Sequence, residues 1–345
     1  MNTRLTKKNA WRRTKQYVEY IFRGKHSSRE HIRRRSRFVG EKCGLGPKGI
    51  IFAILLANAV YAQRSYGSLE IAYHIRTLSM SGTGVADGRG MDITAMNPAL
   101  LQSNPQTLLL SVIRYPADIQ SEVVEWRLPV GNRMGAVSLR HVGFGTFDRR
   151  SIDNVKTGQF GAGDTWISVS IAQALFSSVD VGLTMGVFYS QVDNVSATLG
   201  LITAGTILKI DTFGAKLGLS VKNMGITFNS YTEYKEPLPA TINIGVLKSL
   251  VHLPLDLSVE GTWWKGMENG IVRLGGEFTL PYNFTLRWGT SSRKFDLGTN
   301  ILWETYLAGT SFGFGYATDN LTVDLGLGYN GAGGTIIGIG FSTIL

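Results

Sequence analysis

The chain has 345 residues, of which 42 are glycine and 17% are charged, and its formal net charge is +10. No stretch approaches the ~18–20 apolar residues of a membrane-spanning helix, which excludes a helical membrane protein. Fifteen of the 35 Lys and Arg residues but only three of the 25 acidic residues lie in residues 1–62. The remaining 20 basic and 22 acidic residues nearly balance, which argues against nucleic acid as a partner.

Residues 1–62 have the layout of a basic N-region followed by a secretory signal peptide. A basic stretch precedes the apolar run 49–60, and Val60 and Ala62 occupy the −3 and −1 positions of a cleavage site. We predict cleavage near Ala62, with an uncleaved membrane anchor as the alternative. Cys43 is the only cysteine, so the mature chain would carry no disulfide and no thiol chemistry.

Residues 63–106 differ in pattern from the rest of the mature chain. A glycine-rich run at 81–90 is followed by Asp92, which we expect to cap a short helix that ends before Pro98. We expect this segment to be a plug or hatch inside a barrel. The alternative is a loose periplasmic tail. The plug motif that we assign consists of Asn97, Pro98, Ala99 and Leu100.

From residue 107 to residue 345, apolar and polar residues alternate with a period of two, as in β-strands. In 321–330, for example, Leu321, Val323 and Leu325 oppose Thr322 and Asp324. The pattern predicts fourteen strands, most about nine to twelve residues long. They are placed at 107–115, 122–129, 133–144, 164–175, 178–191, 196–209, 211–223, 238–248, 253–264, 269–279, 281–291, 306–317, 320–330 and 334–345.

This pattern predicts an all-β protein, a transmembrane antiparallel β-barrel with a short helical plug. Strands can span hydrocarbon only in a closed ladder, because lipid offers the backbone no hydrogen-bond partner. A secreted β-sandwich also alternates and is the alternative. Aromatic residues near strand ends favour the barrel, since they form interfacial girdles. They are Tyr115, Trp126, Tyr189, Trp263, Tyr282, Trp288, Tyr316 and Tyr329.

The links between the predicted strands fall into two classes. Short links, such as 129–133 and 318–320, suit turns on one side of a barrel. The longer segments 145–163, 224–237 and 292–305 suit external loops.

The sequence contains no catalytic, cofactor-binding or metal-binding motif that we would defend. We therefore predict a non-enzyme without cofactor or metal, with an outer-membrane phospholipase or protease as the alternative. Charged residues at inward positions of the strands could line a path through the lumen. They are Lys216, Lys222, Asp256, Glu260 and Asp324, together with Arg273 and Arg287. Ordinary lumen polarity and internal salt bridges are the alternative explanation.

Several motifs, taken in order, resemble the PorV/PorQ family. Thr83-Gly-Val-Ala-Asp-Gly followed by Asn97-Pro-Ala-Leu-Leu resembles the amino-terminal signature of that family. Phe144-Gly-Thr-Phe-Asp, Gly158-Gln-Phe-Gly-Ala-Gly-Asp and Glu236-Pro-Leu-Pro resemble its PorQ branch. The resemblance covers nearly all of residues 75–345. The Arg76-Thr-Leu-Ser-Met run departs from the family pattern, which is rich in Ala and Gly.

The resemblance implies a fourteen-stranded outer-membrane barrel that is related to FadL-type transporters and associated with type IX protein secretion. Its partners would be outer-membrane lipid and either secretion components or the signal domains of cargo. Two alternatives remain open. One is a FadL-like channel for hydrophobic small molecules such as long-chain fatty acids. The other is a purely structural barrel with a filled lumen.

Overall fold

The computed structural model describes residues 66–89, 92–104, 106–264, 270–297 and 302–345. The predicted leader 1–62 and its cleavage site lie outside these residues. Fourteen strands form one closed antiparallel barrel. They are β1 (Thr107–Arg114), β2 (Gln120–Val130), β3 (Arg133–Arg150), β4 (Lys156–Phe176), β5 (Val179–Val192), β6 (Val195–Ile210), β7 (Ala215–Asn229), β8 (Thr241–Ser249), β9 (Leu255–Trp264), β10 (Ile271–Thr279), β11 (Phe284–Ser291), β12 (Thr310–Ala317), β13 (Leu321–Tyr329) and β14 (Thr335–Ile344).

Each strand pairs with its neighbours in sequence, and β1 closes the ring against β14, with Leu110 opposite Phe341. The prediction of a fourteen-stranded barrel is therefore confirmed. Short connections follow β2, β4, β6, β8, β10 and β12, and we call this side the turn end. The two longest connections, after β7 and β11, lie on the opposite side, which we call the loop end. In bacterial barrels the short turns face the periplasm.

The wall alternates between apolar residues that point outwards and small or polar residues that point inwards. Outward residues such as Val259 and Leu325 are 48% and 50% exposed, whereas the inward Ser258 and Asp324 are buried. This is the pattern of a barrel whose outer face meets lipid. No helix in the described residues is long and apolar enough to cross a bilayer.

Most of the predicted girdle aromatics lie on the outside of the barrel. Trp126, Tyr189, Trp263, Tyr282 and Tyr316 are all exposed.

Tyr115 does not belong to this girdle, because its hydroxyl donates a hydrogen bond to the backbone oxygen of Ala72 inside the barrel. The alternation of β1 explains this, because Leu109, Ser111 and Ile113 are its buried inward residues and Tyr115 has the same parity.

The described residues before β1, 66–89 and 92–104, lie inside the lumen and form its plug. A 3₁₀ turn at Gly67–Glu70 precedes helix α1 (Ile75–Ser79), and helix α2 (Ile93–Met96) follows further along the chain. A second 3₁₀ segment, Pro98–Ser103, leads to the start of β1.

Three connections at the loop end differ from the sequence-based expectation. The predicted loop 145–163 is largely a hairpin, because β3 and β4 continue their pairing to Arg150 and Lys156. β7 continues to Asn229, beyond the expected end of that strand. Residues expected to begin the strand at 306 form helix α3 (Leu302–Leu307), so β12 begins at Thr310. At these places the stretch of alternating apolar and polar residues is too short to predict where each strand ends.

Candidate binding cavity beside the lumen plug

The plug packs directly on inward glycines of the wall, which we call the glycine belt. Its members are Gly182, Gly205, Gly218, Gly245, Gly275, Gly289, Gly313, Gly326 and Gly338. A Cβ atom added at any of them would meet the plug or its immediate surroundings at less than van der Waals distance. Several stand opposite each other on paired strands, as Gly182 does with Gly205 and Gly313 does with Gly326. The glycines therefore let the plug backbone approach the wall closely.

The plug motif lies at the centre of this contact. Asn97 is fully buried, and its side-chain amide donates to the backbone oxygens of Val85 and Thr206 at 2.8 and 3.1 Å. Its Oδ1 accepts the backbone N–H of Ala99 at 3.2 Å and so caps the 3₁₀ segment that Pro98 begins. One asparagine thus links two parts of the plug to β6.

Ion pairs hold the plug in the turn half of the barrel, in a group that we call the ionic layer. The guanidinium of Arg76 contacts Asp87 of the plug and Glu277 of β10, each at 2.8 Å. Arg287 of β11 bridges Glu277 and Asp324. Buried charges need such partners, because an unpaired one would cost several kcal/mol.

The ionic layer reaches the turn end through Arg89. This half-exposed side chain pairs with Asp87 at 3.0 Å and with Asp256 of β9 at 2.7 Å. Burial alone would raise the pKa of Asp87, but the guanidinium groups of Arg76 and Arg89 hold it well below its usual range. Asp87 is therefore ionised at neutral pH.

A second polar cluster joins α2 to β2 and β3. Arg140 donates to Asp92 at 2.8 Å and stacks on the ring of Trp166, and Thr94 donates to Glu125 at 2.8 Å. Asp92 does precede a short helix, as expected. Its side chain does not cap that helix, because it faces Arg140 instead.

His74, at the start of α1, is completely buried. Its Nδ1 accepts the backbone N–H of Arg76 at 3.2 Å, which leaves Nε2 as the protonated nitrogen. Burial and the nearby cations of Arg127, Arg287 and Arg76 lower the pKa of His74 well below the usual value. His74 is therefore a neutral structural residue.

Above the plug, towards the loop end, lies a cavity of about 290 Å³, which we call the loop-end cavity. Several residues that line it, such as Thr241, Trp264, Ser291 and Thr310, stand at the loop ends of their strands. Its lining combines apolar side chains with charged ones. The apolar ones include Leu69, Ile71, Leu78, Trp264, Leu297 and Ile336. The charged ones are Lys222, Arg273, Arg293, Glu70, Asp92 and Glu260.

Two carboxylates that line the cavity together with Lys222 are already engaged. Glu260 accepts the backbone N–H groups of Gly84 and Val85 at 2.9 and 3.0 Å, and Glu70 accepts the indole N–H of Trp264. Among the described residues, no carboxylate lies within 4.0 Å of the Lys222 ammonium. Lys222 therefore has no direct ion-pair partner among the described residues, and the carboxylates of Glu260 and Glu70 line the same half-apolar cavity.

The lumen residues predicted from the sequence are divided between the loop-end cavity and the ionic layer. Lys222 and Glu260 line the loop-end cavity, whereas Asp256 and Asp324 belong to the ionic layer. Lys216 points inwards near the turn end and does not line the cavity.

Sequence reasoning missed Glu70, Arg76 and Trp264. Arg76 stood out only as a departure from the family pattern, and nothing in its neighbourhood indicated a partner two hundred residues away. Within the described residues, no group of three His, Cys, Asp or Glu side chains is arranged to hold a metal ion.

No protein-family model matches the chain, and no curated protein matches its sequence. Solved structures do match. CymD, a monoaromatic hydrocarbon channel, has a TM-score of 0.57 at 10% identity and covers 80% of this chain and 98% of its own. The toluene transporter TodX of P. putida has a TM-score of 0.54 at 9% identity, covering 80% and 99%.

A FadL homologue from Pseudomonas aeruginosa has a TM-score of 0.52 at 11% identity and covers 79% of this chain and 98% of its own. Identities this low establish the fold and nothing finer. The chain is thus a fourteen-stranded barrel with the FadL-like fold that these transporters and channels share.

Proposed function

We propose that this protein is an outer-membrane channel that admits hydrophobic small molecules bearing an anionic group, such as long-chain fatty acids. The observation that carries the proposal is the loop-end cavity, where Lys222 faces an apolar lining and has no ion-pair partner. The solved structures that resemble the chain are named as transporters and channels, which supports this function over the type IX secretion role.

The cavity suits an amphipathic molecule better than a neutral hydrocarbon. An apolar ligand alone would leave the ammonium of Lys222 dehydrated and unpaired, which costs free energy. A carboxylate would give it a charge-assisted hydrogen bond, while the apolar part lay against Leu78, Trp264 and Ile336. At about 290 Å³ the cavity is at the small end of ligand sites, so it would hold one such molecule.

The channel would be placed in the membrane by its apolar outer face, with the turn end towards the periplasm. The loop-end cavity would then open towards the cell exterior, and the plug would stand between it and the periplasm. A molecule from outside would reach Lys222 before it met the plug.

The test is ligand binding to the purified protein by isothermal titration calorimetry, with palmitate, octanoate and toluene as probes. Lys222→Gln should weaken palmitate binding by about tenfold to a hundredfold, the worth of one charge-assisted hydrogen bond of ~1.5–3 kcal/mol. Lys216→Gln is the matched control, because that lysine also points inwards but lies away from the cavity. Toluene binding should not fall in either variant.

Two results would count against the proposal. One is palmitate that does not bind the wild-type protein. The other is equal losses in Lys222→Gln and Lys216→Gln, which would mean that the cavity does not select the anion.

A role in type IX secretion, as a member of the PorV/PorQ family, is the second candidate. It is supported by the ordered motifs between Thr83 and Glu236 and by a lumen that the plug largely fills. Deletion of the gene in its host should then trap surface-signal cargo in the periplasm. Normal export of that cargo would exclude the role.

A further inference from the structure

The plug forms the floor of the loop-end cavity, and this floor carries one polar group without a partner. Tyr73, Thr77 and Ser81 lie four residues apart in and beside α1, and all three line the cavity. Side chains at this spacing lie on one face of a helix. The plug therefore turns a face with three hydroxyl-bearing residues towards the cavity.

Two of these three hydroxyl groups have partners within the protein. The Tyr73 hydroxyl donates to the backbone oxygen of Ser68 at 2.9 Å, and the Ser81 hydroxyl lies 2.7 Å from that of Ser311. The Thr77 hydroxyl has no hydrogen-bond partner in the described part of the chain, although Thr77 is only 4% exposed.

The helix itself does not satisfy the Thr77 hydroxyl. A serine or threonine inside a helix often bonds back to the carbonyl oxygen four residues earlier, as Ser79 does to Ile75 at 2.8 Å. Thr77 makes no such bond to the described residues. Because a buried hydroxyl without a partner is unfavourable, a hydrogen-bonding group that enters the cavity gains free energy by reaching Thr77.

Thr77 and Lys222 stand on different sides of the lumen. Lys222 belongs to β7, whereas α1 packs on β12, β13 and β14. In the closed ring of fourteen strands, β7 is opposite β14. An anionic group that pairs with Lys222 is therefore separated from the Thr77 hydroxyl by the width of the cavity.

Apolar side chains adjoin each of these two polar groups. On the side of β7, Trp264 is next to Lys222, because both residues pair with Thr241. On the side of α1, Leu78 follows Thr77 and packs with Ile336. A ligand held at Lys222 would cover these apolar side chains with its chain and bring the far part of that chain to Thr77.

We infer that the ligand is an oxygenated amphiphile, with a carboxylate at one end and a hydroxyl or carbonyl group far along its chain, which Thr77 recognises. The inference rests on the proposed function, since it takes Lys222 as the anchor of the anionic group. A threonine hydroxyl both donates and accepts, so either oxygen group would complete its hydrogen bonding. A plain alkyl chain would cover the hydroxyl without offering it a partner.

The test compares octanoate, 8-hydroxyoctanoate and 2-hydroxyoctanoate by isothermal titration calorimetry of the purified protein in amphipol. The wild-type protein should bind 8-hydroxyoctanoate about threefold to tenfold more tightly than octanoate, the worth of one net hydrogen bond. Thr77→Val should abolish this preference while octanoate still binds. The affinity for 2-hydroxyoctanoate should not change in that variant, because its hydroxyl lies beside the carboxylate, far from Thr77.

Thr285→Val is the matched control. The Thr285 hydroxyl is also buried and without a partner in the described residues, but it does not line the cavity, so this variant should keep the preference. Equal wild-type affinities for octanoate and 8-hydroxyoctanoate, or a preference that survives Thr77→Val, would overturn the inference. The proposed function would still stand in those cases if octanoate binds and Lys222→Gln weakens it, whereas no binding of any acid would overturn both.

Discussion

The contact between the plug and the glycine belt makes a sharp prediction for Gly182→Ala. A Cβ at this position would lie 2.6 Å from the backbone oxygen of Pro98, about 0.8 Å inside the 3.4 Å limit of ordinary contact. Backbone from both the wall and the plug meets here, so neither side can yield as a flexible side chain would. We expect a loss at the upper end of the ~1–3 kcal/mol that overpacking costs.

Gly328→Ala is the matched control, because the tightest contact of its Cβ would be with the end of the Leu78 side chain, at 3.1 Å. Urea unfolding in lipid vesicles gives the change in free energy, and trypsin cleavage after the buried Arg76 reports release of the plug. Gly182→Ala should lower the free energy of unfolding and expose Arg76 while the strand content stays unchanged. Equal free energies of unfolding and equal trypsin cleavage in the two variants would refute a plug that is packed tightly against the wall.

Three further predictions concern the plug. Glu277→Gln should lower the free energy of unfolding by about 3–5 kcal/mol, because it removes the carboxylate that pairs with the buried Arg76 and Arg287. The control Asp193→Asn, which breaks the exposed pair with Arg149, should cost less than ~1 kcal/mol. Urea unfolding measures both losses, and equal losses would contradict the ionic layer. Asn97→Ala should lower the free energy of unfolding by about 1–3 kcal/mol in the same assay, because it removes the cap of the 3₁₀ segment and the amide that donates to the backbone oxygen of Val85. An unchanged free energy of unfolding would mean that the motif does not hold the plug. Because the pKa of His74 is lowered in the folded state, the unfolded chain takes up the proton first as the pH falls, and the free energy of unfolding should decrease by ~1.4 kcal/mol per pH unit below ~6.5. His74→Asn should remove this slope, whereas substitution of the exposed His252 by Asn should keep it. An unchanged slope in His74→Asn would contradict the neutral buried state.

The fold was predictable because closure of the barrel repeats one simple rule fourteen times. Alternation such as that of Leu321, Val323 and Leu325 needs only local information, and a lipid-facing wall leaves no other arrangement. Strand ends at the rim were not predictable, since water tolerates both paired and unpaired backbone there. The hairpin within 145–163 shows this, because its charged residues suited a loop as well as a strand.

The candidate site was predictable only in part, for a similar reason. Parity along the strands indicates that Lys222 and Glu260 point inwards, but not which other residues meet them. The partners depend on how the plug crosses the lumen, and that path follows from contacts as distant as Arg76 with Glu277. The wall glycines contact the plug, and no local pattern in the strands indicates which part of the plug each one meets.

The most direct test of the central claim is native mass spectrometry of the protein extracted gently from outer membranes. We predict one bound amphipathic small molecule with an anionic group, which is lost in Lys222→Gln and retained in Lys216→Gln. A wild-type protein that carries no such molecule, and is found instead with secretion components or signal-domain cargo, would contradict the channel function and favour the secretion role.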